Sequence, residues 1–258
     1  MGNYLVTGAA GGMGRAICSA LSAGGNRVWK LDRQEAEGVI QADITSMEDV
    51  QAAAQRVRAE AGHLDGIINA AGVYELASLA EMPEKDFVRA FDINLFGMFR
   101  VNWVFLPLLK VPGRIVIVSS ELAPLHPLPF TGIYAVTKSA VERYAEALRM
   151  ELQLLGHHVT VIRPGAVQTG MLSVSTQKLD AFCAETMLYP CGAERLRHIV
   201  DRVEARSVPP EKIAQTVTRA LNARRPRLVY CVNRNPLLLL MNILPKRLQL
   251  LIIRKILK

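Results

Sequence analysis

Two hydrophobic rhythms alternate along the chain. Short apolar runs at residues 3–7, 27–32, 39–43, 64–69, 114–120, 159–163 and 228–232 have the length and β-branched content of strands. Between them apolar positions return every three or four residues, as on one face of a helix. Ile17 and Leu21 do so after the first run, Val50, Ala54 and Val57 after the third, and longer stretches follow at 83–109, 133–155 and 209–223. Ser46-Met-Glu-Asp49 has the form of a capping box and predicts a helix start. Arg114-Ile-Val-Ile-Val-Ser-Ser120 is apolar at consecutive positions, the pattern of a strand covered on both faces. Regular alternation predicts a single α/β domain over 1–258: a doubly wound parallel sheet of six to seven strands with helices on both faces. Residues 170–207 break the rhythm, mixing Met171, Leu172, Phe182, Met187, Leu188 and Tyr189 with charges in the manner of a lid over an apolar substrate.

Half of the residues are hydrophobic and 21% are charged, which supplies a core and excludes a largely disordered chain. The formal charge of +8, from 31 Lys and Arg against 23 Asp and Glu, would suit an anionic partner, and basic residues gather from Arg219 onward. No recognition motif or interleaved aromatic accompanies them, so nucleic acid is not the expected partner. Cys18, Cys183, Cys191 and Cys231 lack metal-ligand spacing and no His pair completes a zinc set, so no metal is expected. They read as reduced thiols of a cytoplasmic protein, and no signal peptide is expected ahead of the first strand. Met1-Gly2 does not continue as a myristoylation motif, because Val6 stands where Ser or Thr is needed.

Thr7-Gly-Ala-Ala-Gly-Gly-Met-Gly14 joins the first strand to the first helix. Glycines there let the backbone approach a pyrophosphate, and a helix start offers unpaired N–H groups and a positive dipole end. Asp32 ends the second strand, where a carboxylate accepts from adenine-ribose hydroxyls and repels a 2′-phosphate. NAD is therefore expected over NADP, although Arg33 beside it could hold such a phosphate. Asp43 is a candidate for the adenine edge or an ordinary turn former. Asn69-Ala-Ala-Gly72 is a turn of small residues on which a flat group could lie. Asn94 stands among Phe91, Ile93, Leu95 and Phe96, so it needs internal partners and could hold a water. Tyr134 and Lys138 lie one turn apart on one helical face, where the cation would stabilise the phenolate and bring its pKa toward the working range. Ser119 and Ser120 put two hydroxyls at the carboxyl edge of the sheet, where doubly wound folds bind ligands.

In this order, Thr7-Gly8-xxx-Gly12-x-Gly14, Asn69-Ala70-Ala71-Gly72, Asn94 within Asn-Leu-Phe-Gly, Ser119-Ser120, Tyr134-xxx-Lys138 and Pro164-Gly165 resemble the motifs of the short-chain dehydrogenase/reductase family. The resemblance covers residues 3 to about 232 and is closest in character to hydroxysteroid and retinol dehydrogenase types. It implies a Rossmann-type domain and an NAD(P)(H)-dependent oxidoreductase interconverting a secondary alcohol and a ketone. The implied substrate is lipophilic, a hydroxysteroid or bile-acid-like molecule, with retinol or general carbonyl reduction as alternatives. Tyr134 is then the general acid/base, Lys138 the cation that tunes it and holds the nicotinamide ribose, Ser120 the donor to the substrate oxygen, and Asn94 the holder of a water behind Lys138. Gly8, Gly12 and Gly14 would line the pyrophosphate, Asp32 and Arg33 the adenosine, Asn69 the adjoining ribose and Thr169 the nicotinamide carboxamide. Met13, Asp43, Ile44, Ala70, Gly72, Pro164, Gly165 and Val167 would complete the cofactor cleft. Ser120 lies fourteen residues before Tyr134, one more than the usual family spacing, which would fall on Glu121. A one-residue insertion in the loop marked by Pro124, Pro127 and Pro129 accounts for this, with Ser119 the next candidate. A non-catalytic nucleotide-binding regulator is the rival on the same fold, but such proteins usually lack the Tyr or the Lys.

Residues 236–258 are apolar and basic, yet Asn242, Pro245, Lys246 and Arg247 interrupt them, short of the ~20 mostly apolar residues of a spanning helix. Three uses stay open: a subunit contact or substrate-pocket wall, docking of a basic amphipathic helix on a membrane surface, and structural packing. A homodimer or homotetramer is the expected assembly, with peripheral membrane contact through this tail as an option.

Overall fold

The computed structural model describes residues 1–190, 192, 195–198 and 206–258; the described side chains exclude 171–176. Strands β1 (Asn3–Thr7), β2 (Arg27–Asp32), β3 (Val39–Gln41), β4 (Leu64–Asn69), β5 (Leu109–Val118), β6 (His158–Pro164) and β7 (Val229–Val232) form one sheet. Their order is 3-2-1-4-5-6-7 and every neighbouring pair is parallel. The helices with described bounds include α1 (Gly12–Ala23), α2 (Met47–Ala61), α3 (Glu84–Phe91), α4 (Met98–Phe105), α5 (Gly132–Leu152), α6 (Gly170–Glu185), α7 (Glu211–Asn222), α8 (Pro236–Ile243) and α9 (Lys246–Leu257).

Two apolar layers sandwich the sheet. On one face Ile17 and Leu21 of α1 and Ile213, Val217 and Leu221 of α7 cover Val6, Ile68, Val116 and Ile162. On the other, Val50 and Val57 of α2, Val101 and Phe105 of α4 and Val141 and Ala145 of α5 cover Leu5, Ile67, Ile115 and Ile117. Consecutive residues of β4 and β5 thus enter opposite cores, which explains their unbroken hydrophobicity. Each such side chain contributes about 1.5–3 kcal/mol by its burial. Strand order reverses between β1 and β4, so the crevice that binds ligands in such folds opens at their carboxyl ends.

The Ser46 hydroxyl accepts from the Asp49 N–H at 3.2 Å and donates to the Asp49 carboxylate at 3.0 Å, capping α2 as its sequence predicts. The stretch 83–109 is not one helix. Between α3 and α4 the residues Asp92–Gly97 wind as a π-helix, and a 3₁₀ turn at Leu106–Leu108 leads directly into β5. The widened turn contains Asn94, whose side chain is drawn into bonds with the chain at Val73. β5 begins earlier than its β-branched run, because Leu109 pairs with Leu64 across an irregular register. Part of the expected lid is helical: α6 runs from Gly170 to Glu185.

Candidate active site

The chain turns as soon as β1 ends. Gly8 has φ of 68°, and a Cβ there would lie 2.7 Å from the Ala71 backbone; one at Gly14 would lie 2.0 Å from the Gly8 carbonyl oxygen. Thr7 Oγ1 accepts from the Ala70 and Ala71 N–H groups at 3.2 and 3.3 Å, so the two small-residue motifs of the sequence lie side by side. No side chain caps α1 at Gly11, which leaves the N–H groups of its first turn for a ligand. Met13 turns its side chain into the core while its backbone belongs to that turn. The loop at Pro164 to Thr169 closes the other side: Gly165 N–H donates to Val232, Val167 bridges to Val208, and Thr169 touches Gly12 so closely that a Cβ there would come within 2.8 Å.

At the adenosine end, the Asp32 carboxylate accepts from Ala10 N–H at 2.9 Å and Gln34 N–H at 3.0 Å, which fixes it at the edge of the glycine turn. Each oxygen keeps a lone pair for a ribose hydroxyl. Arg33 lines two open clefts, one with Ile40 and Arg56, the other with Thr45 and Arg89, and Asp43 borders both. Burial would raise the Asp43 carboxyl, but hydrogen bonds from Thr45 and the nearby Arg33 and Arg100 bring it below the usual range. Asp43 therefore shapes the turn and also faces the cleft. Ile44 is buried against Gly97. The shape and donor set of this cradle fit a dinucleotide. Asn69 turns its side chain to the α4 side of the sheet. There its amide donates to Asn102 Oδ1 at 2.8 Å and its own Oδ1 is buried without a partner. Any contact it makes with a ribose is left to its backbone.

Tyr134, Lys138 and Glu142 occupy successive turns of α5, all buried. Lys138 Nζ donates to the Val118 carbonyl at 3.2 Å and sits 5.8 Å from the Tyr134 ring centroid. Glu142 is held by Arg163, whose Nε donates at 2.8 Å, and by the Ser119 hydroxyl at 2.9 Å. Ser119 is thereby spent. Glu121 is spent too, because its carboxylate accepts from Asn235 N–H at 2.7 Å. The Ser120 hydroxyl, whose oxygen accepts from Leu122 N–H at 3.2 Å, stands by the Tyr134 phenol and favours its ionised form. Burial pushes the phenol up to about 12 against the opposing pull of Ser120, and burial pushes the Lys138 amine down to about 8 against the opposing field of Glu142. Asn94 Oδ1 accepts from Val73 N–H at 2.8 Å while its amide donates to the Val73 carbonyl and the Thr137 hydroxyl, both at 3.0 Å. Both its protons are used, so any water it holds must donate to its oxygen.

An apolar wall flanks the phenol. The Tyr74 ring centroid lies 4.8 Å from that of Tyr134, and Phe130 lies 4.7 Å from Phe182 and 5.2 Å from Tyr189. Leu76, Leu179, Phe182 and Leu196 form the adjoining core, with Tyr74, Phe130, Cys183 and Leu257 packed on it. Glu75 pairs with Lys178, and the Glu81 carboxylate accepts from Thr186, Met187 and Leu188, so the chain after Gly72 ties α6 down. Phe182 faces inward while Met187 and Leu188 face solvent. Of the other lid candidates, the side chains of Met171 and Leu172, and Cys191 altogether, lie outside the described residues. Sequence reasoning missed Tyr74, Thr137 and Glu142. The last carried a signal, since an acid at the same four-residue step as Tyr134 and Lys138 falls on their buried face.

A doubly wound sheet with this cradle and a buried Tyr-Lys pair defines a class of oxidoreductases. The family model described as short chain dehydrogenase matches residues 3–180, and the chain belongs to that family. It is 25% identical over 229 residues to a 3-ketodihydrosphingosine reductase of Bacteroides thetaiotaomicron, covering 86% of this chain and 84% of that protein. With human 17-beta-hydroxysteroid dehydrogenase type 6 it shares 34% identity over 191 residues, 68% of this chain and 59% of that one; retinol dehydrogenases are also among its relatives. A 3-ketoacyl-(acyl-carrier-protein) reductase from Brucella melitensis, complexed with NADH, shares the fold with a TM-score of 0.73 at 21% identity, over 90% of this chain and 96% of that one.

Proposed function

We propose that the protein interconverts a secondary alcohol and a ketone on a lipophilic substrate of hydroxysteroid or bile-acid-like character, with NAD(H) as cofactor. The observation that carries this reading is the alignment of Ser120, Tyr134 and Lys138 beside an aromatic wall. A nicotinamide cofactor, held by Gly8, Gly12, Gly14, Asp32 and Thr169, supplies or accepts the hydride when bound. The residues of the chain handle the proton and the charge. In reduction, Ser120 donates to the carbonyl oxygen, which withdraws electrons from the carbon and stabilises the developing alkoxide. Tyr134, protonated at neutral pH, delivers its phenolic proton to that oxygen. Lys138 stabilises the resulting phenolate, and Glu142 behind it keeps the cation charged. Asn94 anchors Val73 and Thr137 around this pair, with its oxygen open to a water on the route by which the phenolate regains a proton. Oxidation is the same sequence reversed.

Asp32 at the edge of the glycine turn supports NAD over NADP. Tyr74, Phe130, Phe182 and Leu179 support an apolar substrate, as does the similarity to a 3-ketodihydrosphingosine reductase and a 17-beta-hydroxysteroid dehydrogenase. The presence and proximity of both Tyr134 and Lys138 favour an enzyme over a nucleotide-binding regulator. Phe96, Phe99 and Trp103, exposed beside one another around α4, are the surface on which we place a homodimer contact. Cys18, Cys183 and Cys231 are free thiols, which suits a reducing compartment such as the cytoplasm. The test is NADH consumption against a panel of ketosteroids, bile-acid ketones and long-chain 3-keto amines beside small hydrophilic ketones. Turnover confined to the hydrophilic members would overturn the substrate class.

A further inference from the structure

The two C-terminal helices carry a surface unlike the rest of the molecule. Residues 236–258 include Lys246, Arg247, Arg254, Lys255 and Lys258 and no Asp or Glu. The outward side of α8 is apolar: Leu237, Leu240 and Ile243 follow at three-residue steps, and Ile243 is 80% exposed. On α9 and its C-cap, Arg247, Leu250, Leu251, Arg254 and Lys258 recur at three- and four-residue steps and share one exposed side, with Leu250 at 67% and Leu251 at 61% exposure. The opposite face is fastened to the domain. Gln249 is buried, its Oε1 lying 3.0 Å from the His126 ring and its amide donating to the Leu244 carbonyl at 2.7 Å, while Asn242 accepts from His126 N–H at 2.7 Å. Asn235, just ahead of α8, is held by Glu121. The tail is therefore a built element of the fold, yet it holds leucines and cations together in solvent. No described helix is long and apolar enough to cross a membrane.

We propose that α8 and α9 dock on the surface of an anionic lipid bilayer, with Leu237, Leu240, Leu250 and Leu251 in the interfacial layer and Arg247, Arg254 and Lys258 against the headgroups. The charge argues for lipid over a second copy of the chain. In a two-fold self-contact this acid-free face would meet its own cations, whereas anionic headgroups neutralise them. Docking has a consequence for the site that rests on the function proposed above. Leu257, at the end of α9, packs on the cluster of Leu179 and Phe182 beside Tyr74 and Tyr134, so the apolar wall of the substrate region is continuous with the docked tail. A lipophilic alcohol or ketone would then reach Tyr134 from the lipid rather than through water.

The experiment is flotation of the full chain with vesicles of phosphatidylcholine alone or containing about one third phosphatidylserine. The expected result is flotation with the anionic vesicles, little with the neutral ones, and release as salt is raised to about 0.5 M. R247E/R254E should lower the bound fraction at least tenfold, and L250S/L251S should do so as well, while both variants keep wild-type NADH-linked turnover of a water-soluble ketone. R224E/R225E, with the same charge change outside the tail, should float like the wild type. Absence of flotation with either vesicle overturns the proposal, as does equal flotation with both or equal loss in R224E/R225E. Dissociation of an oligomer by L250S/L251S without loss of lipid binding would reassign the leucines to a self-contact. Flotation is read without turnover, so a chain that binds vesicles but reduces no lipophilic ketone contradicts the substrate reading alone.

Discussion

Ser119, Ser120 and Glu121 stand in a row at the end of β5, and their environments divide the work among them. Ser119 is bonded to Glu142 and Glu121 to the backbone at Asn235, which leaves the Ser120 hydroxyl proton for the phenol side. Ser120→Ala should therefore lower kcat by about 10²–10³ with cofactor affinity within about twofold, while Ser119→Ala should cost about 1–3 kcal/mol of stability by leaving Glu142 short of a donor and change kcat little. Steady-state kinetics and thermal melts of the pair check this, and the reverse pattern would exchange their roles. Sequence spacing alone pointed at Glu121, and what removes it from the site is a contact with a residue more than a hundred positions away. The direction of the Asn69 side chain, toward Asn102, was hidden for a related reason, because a strand apolar on both faces carries no sign of which face a polar residue takes. Lys138 gives a pH test. Its folded value of about 8 lies below its ordinary 10.5, so between these values the unfolded chain binds a proton that the folded chain lacks, and stability from this group rises with pH. Tyr134, raised to about 12 from 10, loses stability only above pH 10. The melting temperature of the wild type relative to Lys138→Met should thus climb between pH 8 and 10; a flat difference would mean that the amine is not depressed.

At the scale of elements, the glycine turn, the Ser46 cap and the strand runs were legible because each has a local cause written in a few adjacent residues. The π-helix at Asp92–Gly97 was not, since it arises where Asn94 reaches the backbone of Val73, a tertiary contact with no periodicity of its own. The lid helix α6 escaped the reading because it packs on a small satellite core through Leu179 and Phe182 instead of along a full apolar stripe. The turn makes a sharp prediction. Gly14→Ala would drive a methyl into the Gly8 carbonyl, backbone against backbone, and the chain must shift to admit it. Cofactor binding measured by titration should weaken at least about a hundredfold or the melting temperature fall by several degrees; an unchanged variant would show that the turn has room for a methyl group.

For the whole molecule, the alternation of strands and helices sufficed for the sheet, its parallel order and the side on which the ligand crevice opens. Surfaces were less legible, because an exposed apolar residue looks in sequence like a core one. Trp103 on α4 is 59% exposed beside Phe96 and Phe99. Trp103→Glu should shift the chain to a monomer in analytical ultracentrifugation without loss of fold, whereas an unchanged mass would remove this face from the assembly. The central claim is that a buried tyrosine moves the proton while hydride passes between cofactor and a lipophilic substrate. The most direct measurement is the rate of NADH consumption with a ketosteroid by the wild type and by Tyr134→Phe. The account predicts a loss of about 10²–10⁴ in kcat with NADH affinity nearly intact, and equal rates for the two proteins, or no reaction with any ketone, would contradict it.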